Sequence, residues 1–339
     1  MRALVTGATG FIGAHVARDL LAHGWEVRAL ARPGSPRGQL ADVGTPAEHL
    51  PRVEWVEGDM LDRASLDRAA PGCDAAFHVA AAYSLWTRDP DGMVRTNVEG
   101  TRNVLEAARA AGVPRVVYTS SVSCVGEAPP GGLASEDTVV HPEDLVGPYK
   151  RSKWEAEGVA RAAAEAGQDV VIVNPASVIG PGDRKPTPTG KLIVDFLRGD
   201  MPAYVETGLN FVDVRDVAAG HRLAHERGAA GRRYILGNLE GNRSLREFLE
   251  VLAGVCGRRA PRVRIPYAVA WAAGAVSTWW ADHVTHEEPG IPLAGVKMSR
   301  HRMFFDPRRA VAELGLPQTP LEATLRDAVA WFRAHLGCP

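Results

Sequence analysis

The sequence predicts an α/β protein, a doubly wound parallel sheet followed by a smaller, mostly helical segment. Three observations carry that reading. Short apolar runs alternate with helix-length runs as far as Pro175. A glycine-punctuated turn, Thr6-Gly-Ala-Thr-Gly-Phe-Ile-Gly13, follows the first apolar run at once. Beyond Pro175 the rhythm breaks at a loop dense in glycine and proline, Gly180 to Gly190.

Arg2–Thr6 reads as a buried strand ended by Gly7. Phe11–His23 has helical spacing, with Val16, Leu20 and Leu21 on one face and Gly24 as its stop. Glu26–Ala31, Val53–Glu57 and Asp74–Val79 read as the second, third and fourth strands. Met93–Ala111 is a long helix closed by Gly112, and Arg115–Thr119 is the fifth strand. Pro148–Glu165 is a helix and Asp169–Val173 the sixth strand. Parallel strands joined by helices need right-handed crossovers, so helices cover both faces of the sheet.

A chain of 339 residues holds one large domain or two unequal ones sharing a cleft. Its net charge of −1 leaves no footprint for nucleic acid. Cys73, Cys124, Cys256 and Cys338 are scattered and form no C-x-x-C pair, so a reducing, cytoplasmic setting is expected. Strand residues begin at Arg2, and no signal peptide is read. The apolar run Ile265–Ala281 covers 17 residues, which is short for a membrane span. With Trp271, Trp279 and Trp280 it is expected as a core helix, ahead of a membrane-facing surface.

Gly7, Gly10 and Gly13 stand at three-residue spacing between a strand and a helix. Without side chains there, the backbone turns tightly and can approach a pyrophosphate at the helix N-terminus. The strand–turn–helix context makes this a dinucleotide cradle, with Thr9, Phe11 and Ile12 in the turn. An acidic residue ending the second strand would select NAD through the ribose 2′-OH. Here the strand ends Ala31-Arg32-Pro33, and a guanidinium suits a 2′-phosphate. NADP(H) is therefore favoured, with NAD(H) as the alternative. Asp59 after the third strand is either an adenine acceptor or a turn residue. Ala80, Ala81 and Ala82 after the fourth are small enough for close cofactor approach. The expected division is a Rossmann-type cofactor domain over 1–174, with 209–240 returning to it. Residues 175–208 and 241–339 form the substrate domain.

Tyr149 and Lys153 are four apart and share a helix face. A phenol titrates near ~10, and a neighbouring ammonium with a cationic nicotinamide favours its ionised form. Tyr149 is thus a candidate general acid in reduction and base in oxidation. Ser121 would hold the substrate oxygen toward it. Asn97 is a polar residue on an otherwise buried helix, hence a structural or proton-relay group.

These residues resemble the extended short-chain dehydrogenase/reductase superfamily. The resemblance rests on T-G-A-T-G-F-I-G at 6–13, G-D-M-L-D at 58–62, H-V-A-A at 78–81, N-V-E-G-T at 97–101, Y-T-S-S at 118–121 and Y-K-R-S-K at 149–153. It implies Ser121, Tyr149 and Lys153 as the catalytic triad, with Asn97 as structural or relay position. It also implies cofactor contacts at Asp59 and Met60 and at Pro175, Ser177 and Val178. Further segments, such as Tyr83-Ser-Leu-Trp-Thr-Arg-Asp-Pro90, are similar to the hopanoid-associated sugar epimerase group. That group is similar to dihydroflavonol 4-reductases and 3β-hydroxysteroid dehydrogenases.

Nucleotide-sugar epimerases of this superfamily usually carry an arginine where this chain has Leu209. The departure favours net reduction of a carbonyl, or oxidation of a secondary alcohol, over epimerisation. Tyr83, Trp86, Lys191, Tyr204 and Asn210 are candidates for the substrate side, with core packing as the competing reading of each. A sugar, steroid or lipid-linked ring fits such a wall. A cofactor-sensing regulator on the same fold is the non-enzymatic alternative, and the Tyr/Lys pair argues against it. His221 with His225, and His283 with His286 and Glu287, lack a metal-site signature, so no metal is expected. The resemblance implies a homodimer built on the 93–111 and 148–165 helices.

Overall fold

A computed structural model describes residues 1–128 and 131–339. The elements run β1 (Arg2–Thr6), α1 (Phe11–Ala22), β2 (Glu26–Ala31), α2 (Gln39–Asp42), β3 (Val53–Glu57) and α3 (Arg63–Ala69). Next come β4 (Ala75–His78), α4 (Pro90–Ala110), β5 (Val116–Thr119), α5 (Gly147–Glu165) and β6 (Val170–Pro175). Strand residues alternate between two cores. Ala3, Val5, Val27 and Val117 feed one, while Leu4, Ala76, Val116 and Ile172 feed the other. Burial on both faces is what a helix-covered parallel sheet requires. Phe77, fully buried at the sheet centre, contributes roughly 1.5–3 kcal/mol by transfer alone.

Beyond β6 lie β7 (Ser177–Ile179), α6 (Pro188–Arg198), β8 (Ala203–Tyr204), β9 (Gly208–Asp213), α7 (Val214–Arg227) and β10 (Arg233–Leu236). They are followed by β11 (Asn242–Ser244), α8 (Leu245–Cys256), β12 (Val263–Arg264), α9 (Tyr267–Trp280), α10 (Leu293–Met298), β13 (Arg302–Met303) and α11 (Leu321–Leu336). The central sheet has seven parallel strands in the order β10-β6-β5-β4-β1-β2-β3. The winding reverses between β1 and β4, which opens a crevice at their carboxyl ends. The 209–240 stretch is split. β10 joins the central sheet, whereas β9 sits in a small second sheet with β7, β11 and β13. That sheet, α6, α8 and α11 enclose a separate core around Phe211, Phe248 and Phe332.

The apolar run 265–281 departs from its expected burial. It forms α9, but only Ala270 and Gly274 of the helix are buried. Trp271, Trp279 and Trp280 are 45%, 55% and 53% exposed. Apolar periodicity cannot distinguish a helix wrapped by protein from one whose apolar residues face outward. The small residues, and not the large ones, mark its inner face. No helix among the described residues is long and apolar enough to cross a membrane.

Candidate active site

The crevice between β1 and β4 is shaped by missing side chains. Gly7 has a φ of +78°, and a Cβ there would come within 2.8 Å of Ala80 N. A Cβ on Gly13 would stand 2.1 Å from Gly7 O. Gly10 caps α1 without a side chain, and the first turn holds no acidic residue. The opening amides around Phe11, Ile12 and Gly13 therefore form an unblocked anion seat, with Thr9 half-buried beside it.

A buried bracket fixes the walls. Thr6 Oγ1 accepts from Val79 N and Ala80 N, so its hydrogen goes to His78 Nδ1 at 2.8 Å. His78 Nε2–H then donates to Thr101 on α4. Burial pulls the His78 imidazole down to about 3, which keeps it neutral in this role.

Arg32 is exposed at the end of β2, and no side-chain hydrogen bond or ion pair holds its guanidinium among the described residues. Arg37 is taken, by Glu57 at 3.1 Å and the Trp55 face. Asp59 Oδ1 accepts from Leu61 N, the turn-residue geometry. The Met60 side chain packs on Gly100 of α4. Pro175 ends β6, Ser177 opens β7, and Val178 follows it, its carbonyl accepting from Thr189 Oγ1.

Tyr149 lies in the first turn of α5, where Pro148 presets the helical backbone. The Ser121 side chain stands beside the Tyr149 phenol and favours its ionised form. Ser121 Oγ also accepts from Ser123 N at 3.1 Å. Lys153 Nζ donates to Thr119 O at 2.7 Å and stands 5.1 Å from the centre of the Tyr118 ring. Burial draws Lys153 down to about 8. Burial also pushes the Tyr149 phenol above its ordinary range, with the nearby Ser121 hydroxyl opposing. The sequence reading has the ammonium favouring the phenolate. Here Lys153 is spent on backbone, and the phenol is neutral at pH 7.

Residues 3–237 match the NAD dependent epimerase/dehydratase family. The chain belongs to that family. It is 47% identical to a Synechocystis sp. protein carrying a provisional dihydroflavonol 4-reductase name, over 98% of this chain and 94% of that one. It is 36% identical to sterol demethylase protein B of Methylococcus capsulatus, over 98% of both. The crystal structure of gox2253 superposes with a TM-score of 0.84 at 42% identity, covering 98% of each chain. The chain is thus an NAD(P)-dependent oxidoreductase of the extended short-chain class.

Around this epimerase/dehydratase-family site the remaining candidates separate. Tyr83 sets its ring edge-on to Tyr149, centroids 4.4 Å apart. Trp86 Nε1 donates to Asp282 Oδ1, tying the same loop to the end of α9. Asn97 is a bracket. It bonds Ala82 N and O and Ser152 Oγ, so both its donors are used and none remains for a relay. Three substrate candidates are engaged elsewhere. Lys191 is exposed and paired with Asp195 one turn on. Tyr204 packs in the second core. Asn210 is wholly buried and bonded to Asn238 and Asn242. Polar or aromatic character alone did not separate cleft from core at these positions.

Sequence reasoning missed a layer beneath the site. Glu157 Oε2 accepts from Ser120 Oγ at 2.5 Å and from Asn174 Nδ2 at 2.8 Å. Asn174 Nδ2 also donates to Ser121 O at 2.9 Å. Arg233 Nε stands 3.1 Å from Glu157 Oε1, so a buried ion pair underlies the Ser120-Ser121 turn. The signal was spacing: Tyr149, Lys153 and Glu157 repeat every four residues along one helix face.

Proposed function

We propose that this protein is an NADP(H)-dependent reductase of ring carbonyls, working reversibly on the matching secondary alcohols. The observation that carries the reading is the placing of the Tyr149 phenol beside Ser121, at the carboxyl end of β5 and one helical turn from the buried Lys153. Bound nicotinamide supplies or takes the hydride. The chain does the rest. Ser121 hydrogen-bonds the substrate oxygen and turns it toward Tyr149. In reduction the Tyr149 hydroxyl gives that oxygen its proton, and in oxidation the phenolate takes it back. Lys153, anchored at Thr119, places a cation under the site that steadies charge developing on the phenol.

Arg32, free at the end of β2, supports NADP(H) over NAD(H) by offering a partner for a 2′-phosphate. Leu209 is buried in the second core, where no guanidinium grips a substrate diphosphate. That favours a sugar, steroid or lipid-linked ring without a nucleotide. Residues 1–174 with the returning α7 and β10 form the cofactor side in this reading, and β9 joins 175–208 and 241–339 on the substrate side. A homodimer through α4 and α5 is part of the same proposal, with Trp154 exposed on α5.

The test is Tyr149→Phe, which should lower turnover by ~10²-fold or more and leave cofactor affinity nearly unchanged. Turnover within a few-fold of the parent protein removes Tyr149 from its role. Interconversion of sugar epimers with no net change in cofactor replaces the reductase reading with an epimerase.

A further inference from the structure

We propose that α9 is a membrane-docking helix that lies in the headgroup layer of an anionic bilayer. From that layer, a lipid-borne substrate would reach the cleft. The sequence of α9 has the reverse of a surface helix's pattern. Its 14 residues include no charged side chain. The residues facing the protein are small. A Cβ on Gly274 would meet Val296 at 3.1 Å and Leu293 at 3.4 Å, so α9 and α10 are closely packed there. Ala270 and Ala281 continue that inner stripe. The large apolar side chains point outward, with Val269 57%, Val276 67% and the three tryptophans about half exposed. A contiguous apolar face of this kind is costly in water and marks an interaction surface. At about 21 Å the helix is too short to cross a bilayer, but long enough to lie in its interface.

Charge selects the partner. The segment leading into α9 carries Arg259, Arg262 and Arg264, all exposed. No side-chain hydrogen bond or ion pair engages them among the described residues. Arg300 sits 5.9 Å from the Tyr267 ring centre, at the same end of the helix. Trp271 near those arginines, with Trp279 and Trp280 further along the same helix, matches the interface of a bilayer rich in anionic lipid. The acidic pair Glu287 and Glu288 follows the helix at its other end.

The helix is tied to the wall of the site. α10, packed behind α9, places Ala294 and Met298 with Leu85 in the wall beside Tyr149. The Trp86–Asp282 bond ties the loop bearing Tyr83 to the same end of α9. A water-soluble sugar needs no apolar porch, whereas a ring carried by a lipid does. The substrate class rests on the redox reading above. The docking does not.

The experiment is co-sedimentation of the full chain with phosphatidylcholine vesicles, and with an equal mixture of phosphatidylcholine and phosphatidylglycerol. Tryptophan emission is followed in parallel. The expected result is salt-sensitive binding to the mixed vesicles with a blue-shifted emission. The Trp271→Gln/Trp279→Gln/Trp280→Gln variant should lose about tenfold or more in affinity, and Arg259→Gln/Arg262→Gln/Arg264→Gln should lose the preference for anionic lipid. Circular dichroism checks that both variants fold, and the emission shift of the parent protein tests the idea without them. Protein left in the supernatant, or binding unchanged in the folded tryptophan variant, overturns it. So does a dimer that the tryptophan changes dissociate while vesicles stay unbound, which would make a second copy the occupant. Binding is read without turnover, so its failure and the failure of the redox reading are distinguishable.

Discussion

Lys153 Nζ donates to Thr119 O at 2.7 Å, so the buried ammonium is held by the end of β5 and not by the phenol one turn away. Its ordinary value of 10.5 is lowered to about 8, chiefly by burial. The folded state therefore binds this proton less well than the unfolded chain does. The resulting penalty is fully present below pH 8 and is relieved as pH rises toward 10.5. At pH 7 it is at most roughly 3 kcal/mol, less what the Thr119 bond returns. Lys153→Met is expected to unfold at equal or higher urea concentration than the parent protein, while turnover falls ~10²-fold or more. Urea unfolding and a turnover assay at pH 7 check the pair of effects. A variant that is both inactive and less stable would make Lys153 chiefly a structural residue.

Arg32 offers a separate test, that of cofactor choice. It follows β2, remote in sequence from Tyr149 and Lys153, and no side chain engages its guanidinium among the described residues. Arg32→Asp should move the preference from NADP(H) toward NAD(H), because a carboxylate repels a 2′-phosphate and accepts from a 2′-OH. The ratio of kcat/KM for the two cofactors reads this directly. An unchanged ratio takes Arg32 out of the site.

Glu157 joins stability to positioning. Its carboxylate receives Ser120 and Asn174 and faces Arg233, and Asn174 in turn holds Ser121 O. Glu157→Gln leaves the Arg233 charge without its counter-ion, at an expected cost of about 3–5 kcal/mol. Through Asn174 it should also lower kcat severalfold with little change in KM. A rise in KM alone would show that the network shapes binding and not the Ser121 hydroxyl.

Much of this site was legible because each motif joins a residue type to a backbone position. Gly7 and Gly13 are needed where a Cβ would strike backbone, and local sequence reveals that. Tyr149 and Lys153 share a helix face by spacing alone. The Glu157–Arg233 pair was not legible, since its partners are 76 residues apart and meet only when β10 joins β6. Tyr204 and Asn210 failed for a related reason. Their side chains suit a cleft or a satisfied core equally, and tertiary packing made the choice. The α9 helix shows the same limit from the other side, because an uncharged run carries no mark of whether protein surrounds it.

Three buried histidines set the acid limit of the fold. His15 Nε2–H donates to Pro181 O, and His221 Nδ1–H to Val217 O, while His221 Nε2 accepts from Thr119 Oγ1. With His78, each bonds as a neutral ring. Burial lowers His15 and His221 to about 4 and His78 to about 3, from 6.5. Below pH 6.5 the unfolded chain takes up protons that the folded chain refuses, so stability falls with pH and the loss levels off below those lowered values. At pH 5 each histidine costs roughly 2 kcal/mol. Asp183, raised to about 6 by burial, acts in the opposite sense and returns roughly 1 kcal/mol over the same interval. Glu136 and Asp216, also raised by burial, add to that return. The net expectation is a loss of a few kcal/mol between pH 7 and pH 5, a large share of a typical stability of about 5–15 kcal/mol. Thermal melts across that range should show Tm falling steeply below pH 6.5. A Tm that holds steady down to pH 5 would mean that these imidazoles take up protons within the fold.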